Sequence, residues 1–182
     1  MAKFDPRVAL LGDVDELNSV LGLLLTEPLP DDVRALAPDH AVDLLVVREG
    51  DQGYVAATLS LAQHDLFDLG GALCFPGAPV LKEAHVARID AAALSLNAGL
   101  PPLKEFVLPG GSPLIAQLHL ARTVCRRVER AATAFFAAEA GGENAIAYLN
   151  RLSDYLFIAT RFEARRTGVP EALWEKAKSV GG

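Results

Sequence analysis

With 182 residues, 51% of them hydrophobic, the chain is long enough to enclose one sizeable core, and it reads as a single domain over 1–182. Its formal charge of −6, from 17 basic and 23 acidic side chains, excludes the broad basic surface that non-specific nucleic-acid binding requires. No run approaches the ~18 uncharged apolar residues of a membrane helix, no signal peptide opens the chain, and its two cysteines show neither disulfide nor zinc spacing. The expectation is a soluble cytoplasmic protein in which Cys74 and Cys125 are small core hydrophobes.

Gly12-Asp13-Val-Asp-Glu16 predicts the first helix start, with Asp13 as N-cap and Glu16 three residues on. Val14, Leu17, Leu21, Leu24 and Leu25 continue at helical spacing until Pro28 and Pro30. Residues 38–57 form an elaborated stretch in which Leu44-Leu-Val-Val47 fits a short strand or a helix start, and Glu49 to Gly53 reads as a turn. A second helix is predicted from about Val55 to Leu73, with Leu59, Ala62, Leu66 and Leu69 inward. Gly70-Gly71 near its end marks a close packing point between helices. After Pro76-Gly77 and Pro79, a third helix with Val86, Ile89, Ala93 and Leu96 inward ends at Gly99 and Pro101. Pro109-Gly-Gly-Ser-Pro113 is a glycine-rich turn ending in a Ser cap and a Pro at the first helical position. Helix four then runs to about Ala140, Gly141-Gly142 turns the chain, and helix five spans about Asn144 to Thr167. Five helices with short connections make an all-α bundle.

Two polar stripes interrupt this apolar pattern. Arg122, Arg126 and Arg130 are four apart on helix four, with Glu129 beside them; Asn150, Asp154 and Arg161 line one face of helix five. An ordinary solvated face with Glu129 pairing Arg126 and Arg130 accounts for the first stripe alone. The apolar neighbours Leu149, Leu152, Leu156 and Phe162 leave little room for a wide wet face on helix five, so its stripe is expected to face another polar element. A guanidinium buried without a partner costs several kcal/mol, and two facing stripes would meet that need while leaving donors for an anion such as a triphosphate. The four histidines stand at no metal-ligand spacing and no Glu-x-x-His occurs, which counts against a di-iron bundle. Spacing thus reaches an anion-binding seam and no reaction.

Five segments in order carry a resemblance: Gly12-Asp-Val-Asp-Glu-Leu-Asn-Ser19, His64-Asp-Leu-Phe-Asp-Leu-Gly-Gly71, Phe106-Val-Leu-Pro-Gly-Gly111, Cys125-Arg-Arg-Val-Glu-Arg130 and Asn150-Arg-Leu-Ser-Asp-Tyr-Leu-Phe157. The chain resembles the PduO-type ATP:cob(I)alamin (corrinoid) adenosyltransferases from about Lys3 to Arg165. The resemblance implies a five-helix bundle of ferritin-like up-down topology, assembled as a homotrimer with active sites between subunits. It implies transfer of the 5′-deoxyadenosyl group of ATP, carried with Mg²⁺, to the cobalt of reduced cobalamin, releasing triphosphate. Residue by residue it implies ATP contacts for Lys3, Arg126, Glu129, Arg130 and Asn150, with Arg126 stabilising charge on the leaving triphosphate. Asp15 and Arg122 would pair across the subunit interface, with Asp154 also shaping the site, and Phe106 would lie under the corrin ring and exclude the lower axial ligand. A cobalamin reductase and an adenosylcobalamin-dependent enzyme are implied partners. The family's opening Thr- and Gly-rich segment, which wraps the triphosphate, is absent from a sequence that begins Met1-Ala-Lys-Phe-Asp-Pro. The alternatives are therefore a non-catalytic corrinoid- or nucleotide-binding homologue without that loop, or a helical module whose stripes only hold a trimer together.

Overall fold

The computed structural model describes residues 4–27, 54–75 and 81–180. Within them the architecture is all-α: α1 Pro6–Leu24, α2 Tyr54–Cys74, α3 Glu83–Ala98, α4 Pro113–Phe136 and α5 Glu143–Thr167, followed by a single 3₁₀ turn at Lys178–Val180. The helices pack in the cyclic order α1, α4, α5, α3, α2, with α4 against both α5 and α1 and only a light contact closing α2 on α3. Apolar residues three and four apart build the shared interior, where Leu10, Leu17, Leu21, Leu59, Leu66, Leu69, Ile89, Leu118, Leu152 and Leu156 are sealed from solvent. Each buried leucine contributes about 1.5–3 kcal/mol relative to exposure, so this interior dominates the stability of the bundle.

Most predicted boundaries hold, and their causes are visible. Ser112 caps α4 by accepting from the Ile115 N–H at 3.3 Å, and Pro113 takes the first position, where no N–H partner is needed. Gly168 ends α5 in the left-handed conformation at φ 69°, which a side chain rarely adopts. Gly70 is a close-packing point, since a Cβ there would stand 3.3 Å from Leu11 Cδ1.

The start of α1 differs. Asp5, not Asp13, is the N-cap: its carboxylate accepts from the Arg7 N–H at 2.9 Å, and Pro6 opens the helix. Asp13 and Glu16 lie inside α1 and instead pair with Arg127 of α4, Asp13 at 3.5 Å. The cysteine expectation holds for Cys125, which is buried and donates to the Leu149 carbonyl at 3.2 Å; Cys74 is exposed at the end of α2. Helix α4 stops at Phe136, short of Ala140. Of the 38–57 stretch, residues 54–57 are the first turn of α2, and the strand-or-helix segment 44–47 and the turn 49–53 lie outside the described residues.

Candidate active site

The polar seam forms where α4 meets α5. Glu129 is its hub: Oε1 accepts from Asn150 Nδ2 of α5 at 3.1 Å, and Oε2 meets Arg126 Nη1 at 3.0 Å one turn back on α4. A single carboxylate thus hydrogen-bonds an amide from α5 and forms an ion pair, without hydrogen-bond geometry, with a guanidinium of its own helix. Arg126 is only half covered and keeps donors directed to solvent. Arg130, a further turn along, is exposed, and among the described residues it has no ion-pair partner. The expectation that Glu129 would neutralise both arginines therefore holds for Arg126 alone. The seam carries surplus positive charge and donors, which is the electrostatic requirement of an anion site.

Arg122 behaves differently. It is half-buried, its guanidinium lies 5.9 Å from the centroid of the Phe157 ring, and its Nε is buried without a hydrogen-bond partner. Asp15, on α1, is exposed and has no ion-pair partner among the described residues. The Asp15–Arg122 pair does not form within one chain.

The helix-five stripe divides. Asn150 faces Glu129 as expected, but Asp154 is exposed and pairs at 3.5 Å with Arg151 of its own helix, which also holds Asp90 of α3 at 3.1 Å. Asp154 thus meets no separate polar element. Arg161 turns away from the seam altogether: Nε donates to Glu171 at 3.0 Å and Nη2 to the Pro101 carbonyl at 2.9 Å.

Phe106 stands on the loop between α3 and α4 with 73% of its surface exposed, so it is no core aromatic. Its nearest ring is Trp174, edge-on at 6.3 Å between centroids. Gly110 (φ 155°) and Gly111 (φ 102°) turn the chain between Phe106 and the Ser112 cap, a backbone path closed to most side chains. Lys3 lies outside the described residues. No group of three or more His, Cys, Asp or Glu converges among the described residues.

One buried polar cluster carries no mark in the sequence beyond an acid on an inward face. Asp65 of α2 accepts from Tyr148 Oη of α5 at 2.6 Å, pairs with Arg88 of α3, and has His85 Nε2 at 3.9 Å. Burial, and then the neighbouring Asp65 charge, push the Tyr148 phenol well above its ordinary range, so it serves as a neutral donor. The available signal was Asp65 itself, standing among Ala62, Leu66 and Leu69 on a helix face that must be covered.

The family model described as cobalamin adenosyltransferase matches residues 1–163. A cobalamin adenosyltransferase of Cupriavidus metallidurans is 48% identical over 173 residues, 94% of this chain and 82% of its own length. The corrinoid adenosyltransferase of Bacillus subtilis is 36% identical over 179 residues, 96% of this chain and 82% of its own. Among solved structures, a variant of the PduO-type ATP:corrinoid adenosyltransferase of Lactobacillus reuteri, complexed with cobalamin and ATP, superposes with a TM-score of 0.76 at 28% identity, covering 97% of this chain and 90% of that one. The chain belongs to the cobalamin adenosyltransferase family.

Proposed function

We propose that this protein transfers the 5′-deoxyadenosyl group of ATP to the cobalt of reduced cobalamin, with the α4–α5 seam as its triphosphate site. The observation that carries the assignment is the Glu129 hub, which holds Arg126 and Asn150 in fixed relation and leaves Arg126 and Arg130 with unspent donors. In the reaction the Co(I) electron pair forms a bond to the ribose C5′ while the C5′–O bond breaks, and that bonding pair leaves on the triphosphate. Negative charge grows on the leaving oxygens. Arg126 and Arg130 are assigned to take it up; the Glu129 ion pair keeps Arg126 at the seam before the charge develops, and preorganised donors stabilise transition states more than flexible ones. Asn150 contributes its remaining donor and acceptor to the nucleotide. Lys3 is assigned to the phosphates, and Mg²⁺ enters with ATP.

Phe106 is assigned the face of the corrin ring. An exposed phenyl on a turn can displace the lower axial ligand and offer cobalt no replacement, which favours reduction to Co(I). The site is completed by a neighbouring copy of the chain in a homotrimer: Arg122 has a buried Nε without a partner and Asp15 an exposed carboxylate without one, and pairing the two across an interface satisfies both. Asp154 then flanks the site with Arg151. The reducing cytoplasm, a reductase and an adenosylcobalamin-dependent acceptor enzyme complete the assigned setting.

The test is the visible spectrum of chemically reduced cobalamin mixed with the protein and saturating ATP. Conversion to adenosylcobalamin with release of triphosphate is expected; no conversion would leave a corrinoid- or nucleotide-binding homologue. Phe106→Ala is expected to slow transfer most when the reaction starts from Co(II). Equal losses from Co(II) and from pre-formed Co(I) would contradict ligand exclusion.

A further inference from the structure

Phe106 sits in a segment, residues 99–112, that holds no helix. Fixing each loop residue costs about 1–2 kcal/mol of backbone entropy, so a side chain projecting from such a loop has a defined place only where the loop is tied down. The ties run to the C-terminal strap that follows α5. Leu108 N–H donates to the Ala172 carbonyl and Trp174 N–H to the Phe106 carbonyl, both at 2.8 Å, and Val107 and Leu173 form an isolated antiparallel bridge. The Trp174 ring then abuts Phe106 edge-on. A bridge this short is marginal in water. Something else must hold the strap.

That role falls to Arg161, whose side chain is 7% exposed. From within α5 its fork reaches both segments that the bridge joins: Nε donates to Glu171 on the strap at 3.0 Å, and Nη2 to the carbonyl of Pro101 in the Phe106 loop at 2.9 Å. The planar fork supplies two bonds in fixed directions, which a lysine cannot. The space behind the strap is a cavity of about 20 Å³ bordered by His119, Thr160 and Glu171, room for no more than a water molecule, so the strap is seated on α4 and α5. Gly168 directs the chain back toward the loop, and Val169 N–H closes the turn on the Ala164 carbonyl at 2.9 Å.

We propose that Arg161 is a positioning residue for the transfer reaction: through Glu171 it latches the strap 169–174 to the Phe106 loop and so sets where the Phe106 ring stands. The inference rests on the reading of Phe106 given above. It adds a residue of α5, remote from the phosphates, to the groups on which cobalt reduction depends.

Trp174 is the chain's single tryptophan, so its fluorescence reports the strap without any assay of activity. Glu171→Ala removes the latch from a partly exposed position beyond the last long helix; Glu171→Gln keeps an acceptor oxygen for Arg161 and is the conservative control. In the Ala variant, acrylamide is expected to quench Trp174 more strongly and its emission to shift to longer wavelength. Transfer started from Co(II) should fall by about 10- to 100-fold, the scale on which ångström misplacements act, and transfer from pre-formed Co(I) much less. The Gln variant should recover most of both signals. Should Glu171→Ala fail to fold, Arg161→Lys keeps the positive charge but cannot make both bonds in fixed directions, and the same two signals are expected from it. Wild-type quenching together with wild-type Co(II) transfer in the latch variants overturns the inference while the Phe106 reading stands. An unselective Phe106→Ala overturns that reading, and the positioning role with it.

Discussion

Two carboxylates in this bundle each gather partners from other helices, and they end differently. Asp65 is buried, and it draws its partners inward: the Tyr148 hydroxyl, the Arg88 guanidinium and the nearby His85 join α2, α3 and α5, with only Arg88 Nε left shut in without a hydrogen-bond partner. Glu129 is shielded but borders solvent, and the donors around it exceed what it can satisfy, because Arg126 keeps free donors and Arg130 has no carboxylate partner among the described residues. The first network holds helices together; the second holds charge in readiness for a ligand. Polar residues inside a helical bundle thus divide by whether their donors are shut in or open to solvent, and the solvent-facing set is the one proposed as the site.

The largest expected effect strikes the closed network. Asp65→Ala strands a buried phenol and a guanidinium, and chemical denaturation should show a loss of about 3–5 kcal/mol, the range for breaking a buried pair by removing one partner. The folded fraction should still bind ATP like the wild type. A loss below about 1 kcal/mol, typical of exposed pairs, would erase the distinction.

Next comes Arg126→Ala, for which kcat/KM is expected to fall by about 10²–10³-fold, as when one preorganised donor is removed from a transition state. Its melting temperature should barely move, since an exposed i,i+3 ion pair contributes at most about 1 kcal/mol. Glu129→Gln keeps an acceptor for one partner only and should lower kcat/KM about tenfold, equivalent to ~1.4 kcal/mol; unchanged kinetics would remove Glu129 as the organiser.

The smallest effect is a pH dependence at the strap. His119 is held below its ordinary value of 6.5, first by burial and then by Arg122, with Glu171 opposing. The unfolded chain therefore binds the proton more readily, so this contribution to stability is complete above pH 6.5 and declines as pH falls from there toward the lowered folded value. His119→Gln should flatten that part of the stability profile in thermal melts from pH 7.5 to 5. An identical slope in the variant would assign the acid sensitivity elsewhere.

Much of this was legible in the sequence because helices announce themselves by period. Leu59, Ala62, Leu66 and Leu69 specify the buried face of α2, and Ser112-Pro113 and Gly168 bracket α4 and α5 with cap chemistry that acts locally. The α1 start was misleading for a physical reason. Gly12-Asp13 imitates a cap, whereas the operative signal, Asp5 before Pro6, lies about two turns earlier, and the inner acids are accounted for only by Arg127 of a helix far along the chain. The arginine stripe was readable as excess charge, but which arginine Glu129 would take was not, because that depends on Asn150 arriving from α5. The strap was invisible: residues after Pro170 follow no period, and their partners at 101 and 106–108 lie far away along the chain. Asp154 illustrates the converse, since a residue in register with Asn150 spends itself on its own helix neighbour.

The distinction between shut-in and solvent-facing donors comes down to ATP affinity, measured by calorimetric titration of the wild type, Arg126→Ala and Tyr148→Phe side by side. Tyr148→Phe removes a donor from the closed network and should bind ATP as the wild type does, while Arg126→Ala should bind at least about tenfold more weakly, a change of ~1.4 kcal/mol. Equal affinity in all three, or weaker binding in Tyr148→Phe than in Arg126→Ala, would contradict the placement of the nucleotide at the α4–α5 seam.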